Sequence, residues 1–202
     1  TSAPHIKDKD NIVKIMWTVN FALLPALCGS IYFFGMRALL IILTAIITCC
    51  ITESLACILM KKKNTIYDGS AIATAILLSF NLPPSIPLWM VAIGSIVAIG
   101  IVKMCFGGLG ANIFNPALVG RAFLLACFPV QMTTWNQPQT LDGITCATPL
   151  GIVKDNLIND IPSYFNLFIG NQAGCIGETS ALLLIIGGII LLLRKCITWH
   201  IP

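Results

Sequence analysis

Charge is scarce in this chain. Only 10% of its 202 residues are charged, whereas hydrophobic residues make up 57% and the mean hydropathy is +0.90. A soluble domain carries roughly 25% charged residues, so this chain has too few polar side chains to cover a globular surface in water. The composition indicates a protein whose main solvent is the lipid bilayer. It suggests no nucleic-acid partner.

Motifs for metals and disulfide frameworks are also missing. The two histidines, His5 and His200, stand at opposite ends, and the nine cysteines contain no C-x-x-C spacing. Most cysteines fall in apolar runs, where a free thiol behaves as a small hydrophobe. Cys146 and Cys175 share a predicted external loop, so a disulfide between them stays open but is not expected. No metal site, catalytic residue or signal peptide is predicted.

The chain does contain six apolar segments. They predict an all-α fold, a polytopic membrane helix bundle forming a single membrane domain over 1–202 with an external loop at 131–177. The first, second and last segments approach the roughly 20 residues that a spanning helix needs, and the third is distinctly shorter. The six predicted spans are 15–34, 38–60, 69–82, 86–103, 114–130 and 178–194.

The third and fifth spans are interrupted by proline and glycine. Three prolines follow the third span within 82–87, and a glycine-rich stretch with Asn115-Pro116 precedes the fifth. Short or interrupted membrane segments often mark binding sites, and broken backbone at membrane depth must be buried in protein or line a cavity. Tight turns between short helices would give the same pattern. We expect Pro83, Pro84 and Asn115 to line the interior.

The basic residues orient the helices. With the N-terminus cytoplasmic and six crossings, only Arg37 and Lys154 lie outside, and the positive-inside rule therefore selects this orientation. The loop 131–177 is then periplasmic. The basic residues on the cytoplasmic side are Lys7, Lys9, Lys14, Lys61, Lys62, Lys63, Lys103, Arg194 and Lys195.

Two ionisable residues lie within predicted spans. Glu53 is about two turns from the cytoplasmic end of the second span, and Arg121 is early in the fifth. An ionisable residue inside a membrane is by default a candidate functional residue. Glu53 and Asn115 are candidates for an ion path, although Glu53 would equally suit snorkelling or pairing with a neighbouring helix. We expect Arg121 to point inward, toward Glu53, a backbone carbonyl or an anionic cofactor group.

Three long motifs carry a family resemblance. LPPSIPLWM at 82–90, FGGLGANIFNPALVGRAFL at 106–124 and FPVQMTTW at 128–135 resemble the D subunit of the Rnf electron-transport complex. The B subunit of the sodium-translocating NADH:quinone oxidoreductase is similar through the same stretches. CIGETS at 175–180, RKCITWHIP at 194–202 and SAPH at 2–5 favour the Rnf member.

The resemblance implies a covalently bound FMN. In that family, FMN is joined by a phosphoester bond to the last threonine of an S/T-G-A-T motif. Residues 145–148 read Thr-Cys-Ala-Thr, with Cys146 in place of the glycine, so Thr148 is the implied attachment site. A second, non-covalent flavin is compatible with the resemblance. Further candidates for flavin contact are Asp142, Gly143, Thr145, Arg121 and Ser180, the last because a helix N-terminus attracts phosphate.

The resemblance also implies a function. We expect a membrane flavoprotein subunit, inactive alone, of a translocase that couples ferredoxin and NAD oxidoreduction to sodium or proton transport. Its partners would be the other subunits, a flavin transferase and the lipid of a bacterial inner membrane. Two alternatives remain: a broken-helix channel or secondary transporter for a small solute without a redox role, and an assembly subunit that no longer carries flavin.

The last residues of the chain predict a further helix. Residues 199–202 read as the opening of another membrane helix. Members of the family continue into a second half related to the first. We therefore expect the chain to be the N-terminal part of a larger inverted-repeat fold and to be C-terminally incomplete.

Overall fold

A computed structural model describes residues 12–62, 65–135, 154, 163–170, 172–178, 180–197 and 200. All regular structure within these ranges is helical, which confirms the all-α expectation for this part of the chain. A 3₁₀ turn at Ile66–Asp68 precedes α2, and a π-helix at Val97–Met104 continues α3. The helices are α1 Ile12–Leu59, α2 Ser70–Phe80, α3 Leu88–Ile96, α4 Pro116–Cys127, α5 Pro129–Met132, α6 Tyr164–Ile169 and α7 Ala181–Leu193.

The long helix α1 is broken at Gly35. This glycine has φ 64° and ψ −150°, which lies outside the helical region and which a residue with a Cβ rarely adopts. The break divides α1 into two halves, 12–34 and 36–59, each of ~35 Å at 1.5 Å per residue. Each half is therefore long enough to cross a hydrocarbon core of about 30 Å. The halves match the first two predicted spans.

The two halves of α1 run antiparallel. Asn20, in the first half, donates from Nδ2 to the carbonyl oxygen of Gly69 at 3.0 Å. Glu53, in the second half, accepts a hydrogen bond from the hydroxyl of Thr65. Both far ends of α1 therefore meet the same short connection before α2, and the chain must reverse at the glycine break.

The remaining apolar helices are shorter than a full crossing. Within the described residues, only α1 is long and apolar enough to span a membrane by itself. The other apolar helices are α2, α3 with its π-helical extension, α4 and α7, each of 10–17 residues. They coincide with the third to sixth predicted spans, as expected for a bundle of interrupted membrane helices.

The proline-rich turn lies at one end of the bundle. Arg37 donates from its guanidinium to the carbonyl oxygen of Ser85 at 3.4 Å, and the Ser85 hydroxyl donates to the carbonyl oxygen of Thr134 at 3.2 Å. These contacts join the connection inside α1, the turn after α2 and the residues after α5. We call this end the proline end.

Several basic side chains lie at the opposite end of the bundle. The Lys62 ammonium donates to the carbonyl oxygen of Gly107 at 3.2 Å. Lys14 and Arg194, from α1 and the end of α7, line one small polar cavity of about 110 Å³. We call this the basic end. The six predicted spans therefore alternate between the two ends in the order that the sequence predicts.

Gly187 brings helix α7 close to the backbone of the first half of α1. A Cβ added to Gly187 would lie 2.5 Å from the carbonyl oxygen of Ala22, whereas a Cβ on the adjacent Gly188 would meet no atom within 4 Å. Small residues allow such close approach between membrane helices. The neighbouring glycines therefore form a matched pair for testing this contact.

Gly187→Ala is expected to destabilise the protein by about 1–3 kcal/mol, because backbone must move to accept the methyl group. Gly188→Ala is expected to leave stability unchanged or to raise it by up to ~1 kcal/mol, the usual helix preference for alanine over glycine. Thermal unfolding in detergent, followed by size-exclusion chromatography, measures both. Equal midpoints for the two variants would contradict the packing of α7.

Candidate functional site

A buried ion pair joins the second half of α1 to the π-helix. The Lys103 ammonium donates to both carboxylate oxygens of Glu53, at 2.8 Å and 2.9 Å. Glu53 is 0% exposed and Lys103 only 2%. Removing one partner of such a pair would leave an uncompensated charge in a medium that solvates charge poorly.

Three polar side chains complete this site, which we call the Glu53 cluster: Glu53, Thr65, Asp68, Ser70 and Lys103. The third donor of Lys103 goes to the Ser70 hydroxyl at 2.7 Å, so all three ammonium hydrogens have acceptors. Ser70 in turn donates to Asp68 at 2.7 Å, and Thr65 donates to Glu53. The cluster holds two carboxylates and one ammonium and therefore carries a net charge of −1.

The π-helix places Lys103 in this site. Its bonds run from residue i+5 to residue i, as from the Cys105 amide to the Gly100 carbonyl at 3.3 Å. The wider turn changes the direction of the side chains that follow, and such segments are frequent at functional sites. Lys103 is one of the basic residues predicted on the cytoplasmic side, and the structure buries it against Glu53. The available signal was a lone lysine in an apolar run, complementary to the lone Glu53.

Two cavities flank the Glu53 cluster. The first, of about 410 Å³, is lined by the polar residues Ser70, Thr74, Lys103, Asn112 and Asn115 together with apolar side chains. We call it the asparagine cavity. The side-chain oxygen of Asn112 is buried and has no hydrogen-bond partner. An unpaired buried acceptor is costly, so this oxygen marks a place where a donor fits.

The second cavity lies at the basic end and has a volume of about 380 Å³. We call it the loop cavity. Thr65 and Asp68 line it on the side of the cluster, and Lys62 and Gly107 line it beside the exposed loop. Leu109 lines both cavities. Residues of the cluster therefore line both cavities: Ser70 and Lys103 line the asparagine cavity, and Thr65 and Asp68 line the loop cavity.

Asn115, a predicted ion-path residue, begins α4. Its side-chain oxygen accepts from the Ala117 amide at 3.0 Å, a helix-capping bond, and the residue itself is exposed. It shares the asparagine cavity with Lys103. The structure therefore brings Asn115 to the same cavity as the partner of Glu53, but not into contact with Glu53.

Arg121 belongs to α4 and contacts Asn81, at the end of α2 that is far from the Glu53 cluster. Its guanidinium donates from Nη1 to the side-chain oxygen of Asn81 at 2.9 Å, and its Nη2 is 4.0 Å from the Cys175 sulfur. It is half-buried and directed at protein. Glu53 was one of the partners expected for Arg121, but in the structure Glu53 pairs with Lys103.

The proline-rich turn is covered by the segment 172–178. The amides of Ile176 and Gly177 donate to the carbonyl oxygens of Leu82 and Phe80, at 3.0 Å and 2.9 Å. Pro83 and Pro84, which follow these carbonyls, are buried. The broken backbone after α2 is thus surrounded by protein, as predicted, and its carbonyls are hydrogen-bonded.

Cys175 is a free thiol in that covering segment. Burial, and secondly the nearby Glu178 carboxylate, raise the pKa of Cys175 to about 12. The thiol therefore stays protonated at neutral pH, which disfavours disulfide exchange because the thiolate is the reacting form. Cys146, the other cysteine considered for a disulfide, lies outside the described residues.

The implied flavin-attachment region also lies outside the described residues. This holds for Asp142, Gly143, Thr145 and Thr148. Ser180 is described: it is 5% exposed, and its hydroxyl caps α7 by accepting from the Leu183 amide at 3.4 Å. The Ser180 hydroxyl therefore serves the helix itself.

Comparisons with known proteins cover the whole chain. The family model described as "NQR2, RnfD, RnfE family" matches residues 1–202. A Clostridium ljungdahlii protein, named as the D subunit of a proton-translocating ferredoxin:NAD(+) oxidoreductase complex, is 45% identical over 212 residues. The match covers 100% of this chain and 64% of that protein.

Two further relatives agree with this match. The D subunit of the Na(+)-translocating ferredoxin:NAD(+) oxidoreductase complex of Acetobacterium woodii is 46% identical over 204 residues, covering 100% of this chain and 64% of that protein. The D subunit of the ion-translocating oxidoreductase complex of Yersinia pseudotuberculosis is 35% identical over 238 residues, covering 100% and 68%. The chain thus spans 64% of the length of the first two relatives, and the resemblance noted in the sequence is confirmed.

Proposed function

Because this chain belongs to the NQR2, RnfD, RnfE family, we propose that it is a membrane flavoprotein subunit of a complex that couples ferredoxin and NAD oxidoreduction to ion translocation. The observation that carries the proposal is the match over 100% of the chain to relatives named as D subunits of such complexes. The bundle of short, interrupted apolar helices supports a membrane subunit. The other subunits and a flavin transferase are the proposed partners.

The proposed covalent cofactor is FMN on Thr148. The support is the motif at 145–148 and the family membership. FMN supplies the electron-carrying chemistry, and the protein supplies its position and electrostatic surroundings. Among the described residues, the half-buried guanidinium of Arg121 fits an anionic group, because arginine presents several donors in a fixed plane.

Fluorescence of the denatured polypeptide tests this proposal. The chain, produced together with the flavin transferase, is expected to fluoresce under ultraviolet light in a denaturing gel, because a phosphoester bond survives denaturation. Peptide mass spectrometry should find the added FMN within 136–153. A non-fluorescent band from a flavinylation-competent host would contradict the electron-carrying role. It would favour a solute transporter or an assembly subunit without flavin.

The asparagine cavity suits a second, non-covalent flavin. Its volume of about 410 Å³ lies within the usual range for small-molecule pockets, and most of its wall is apolar. A flavin ring carries both hydrogen-bond donors and acceptors along one edge. The Asn115 and Thr74 side chains, which line the same cavity, would bond to that edge of the ring.

Glu53 is the proposed cation-binding residue of the ion path. A buried carboxylate between two cavities fits this role, since intramembrane carboxylates commonly mark ion pathways. The loop cavity would give access from the basic end, through Thr65. The relatives include one named for protons and one named for sodium.

We place the basic end in the cytoplasm of a bacterial cell and the loop 131–177 in the periplasm, following the positive-inside rule. A cysteine replacing Lys154 in a background without other reactive thiols is therefore expected to react with a membrane-impermeant maleimide in intact cells. A cysteine replacing Lys61 should react only after the cells are broken. The reverse pattern would overturn the orientation.

A further inference from the structure

We propose that Lys103 is a tethered competitor for the cation that binds Glu53. In one position its ammonium fills the oxygen site made by Glu53 and Ser70. In the other it turns into the asparagine cavity toward Asn112, and Na⁺ then takes its place in the Glu53 cluster. The inference rests on the proposed role of Glu53 in the ion path.

The ammonium occupies a site that also suits Na⁺. Its nitrogen contacts three oxygens at 2.7–2.9 Å, two from Glu53 and one from Ser70. The Thr65 hydroxyl donates to the same carboxylate and so places a further oxygen beside Glu53. Hard cations prefer such carboxylate and hydroxyl oxygens. When Na⁺ enters and the ammonium stays in the adjoining cavity, the two positive charges match the two carboxylates of the cluster, Glu53 and Asp68, so neither carboxylate is left uncompensated.

The asparagine cavity offers acceptors for the displaced ammonium. Lys103 lines the asparagine cavity as well as the cluster. The side-chain oxygen of Asn112, in the same cavity, is buried and lacks a donor. An ammonium has three donors and no acceptor, and the Asn115 and Thr74 oxygens lie along the same wall. In the first position the ammonium donates to the carboxylate of Glu53, and in the second it donates to neutral side-chain oxygens while Na⁺ compensates the carboxylate.

The entering ion has a separate route. Thr65 and Asp68 belong to the cluster and also line the loop cavity at the basic end. The net charge of −1 on the cluster attracts a cation. The basic residue on this cavity, Lys62, is exposed and donates to the Gly107 carbonyl. Ion and lysine thus approach the carboxylate from two different cavities, and each can occupy the site only when the other has left.

Binding of ²²Na⁺ to the purified, assembled complex tests the competition, with choline holding the ionic strength constant. Lys103→Met keeps the side-chain length but removes the competitor, and its dissociation constant for Na⁺ should fall at least tenfold. Lys61→Met removes an exposed charge at the same end and should leave the constant unchanged. An unchanged constant in Lys103→Met overturns the inference, as does a complex that binds no Na⁺ in either form.

A second pair of variants decides the matter if Lys103→Met does not assemble. Asn112→Asp strengthens the alternative ammonium position and should tighten Na⁺ binding several-fold. Asn112→Leu removes that position and should weaken Na⁺ binding by a similar factor. A merely structural role for Asn112 would shift both variants in the same direction or in neither, and either result overturns the inference.

Glu53→Gln separates this inference from the proposed ion path. If Glu53→Gln abolishes Na⁺ binding while the Lys103 and Asn112 variants bind as wild type, only the competition fails. If Glu53→Gln binds Na⁺ like wild type, the proposed ion-path role of Glu53 fails first, and the competition fails with it.

Discussion

Thr148→Ala is expected to remove all covalent flavin from this chain. A phosphoester bond needs a side-chain hydroxyl, and the family motif at 145–148 assigns that hydroxyl to Thr148. The variant, produced with the flavin transferase, should give a non-fluorescent band of normal size in a denaturing gel. Intact-mass measurement should show the loss of one FMN.

Matched variants sharpen this result. Thr148→Ser keeps a hydroxyl at the same place and is expected to retain flavin, at reduced yield if the transferase prefers threonine. Thr145→Ala should stay fluorescent. Covalent flavin that persists in Thr148→Ala would disprove the assignment and direct attention to Thr145 and Thr140.

Breaking the Glu53–Lys103 pair is expected to have the largest effect on stability. Removing one partner of a buried ion pair typically costs about 3–5 kcal/mol. For a chain of this size, each kcal/mol corresponds to roughly 2–4 °C in the unfolding midpoint. Lys103→Met in sodium-free buffer should therefore lower the midpoint by ~6–20 °C.

A double-mutant cycle separates the pair from its surroundings. Glu53→Leu combined with Lys103→Met replaces two buried charges by apolar groups and should recover most of the lost stability. Lys61→Met, at an exposed position, should stay within about 0.5 kcal/mol of wild type. If the double variant is as unstable as the sum of the single variants, the two side chains are not energetically coupled.

The positions of the helices could be predicted from the sequence because apolar runs are local features. The break at Gly35 falls between the first two predicted spans, and the short helix α2 ends before the predicted proline turn. Burial of Pro83 and Pro84 followed from the requirement that broken membrane backbone be surrounded by protein. Each of these predictions depends on residues that are neighbours in the chain.

The composition of the site could be predicted only in part. Glu53 is recognisable as a lone charge in an apolar helix. Its partner Lys103 is harder to recognise, because a lone lysine at the end of a span usually snorkels to the membrane surface. The π-helix that buries Lys103 has no sequence signature. The Arg121–Asn81 bond joins a charge to a neutral amide and leaves no charge pattern to detect.

The segment 172–178 shows a similar limit. Its sequence indicated only an approach to a helix, whereas in the structure it forms hydrogen bonds with backbone carbonyls of Phe80 and Leu82. Such bonds depend on carbonyls left free by proline in a distant turn. The need for donors was predictable from Pro83 and Pro84, but the identity of the donors was not.

The separation of Glu53 and Lys103 by 50 residues also constrains biosynthesis. At about 5–20 residues per second, the ribosome delivers Lys103 ~3–10 s after Glu53. During that interval, the newly made helical hairpin must hold an acidic side chain without its counter-charge. The cost is at most the roughly 2.5–3.5 kcal/mol of an Asp at the centre of an inserting helix, and the apolar residues of the hairpin must outweigh it. The hairpin is therefore expected to reach its final position in the bilayer only after the π-helix has inserted and Lys103 can pair with Glu53.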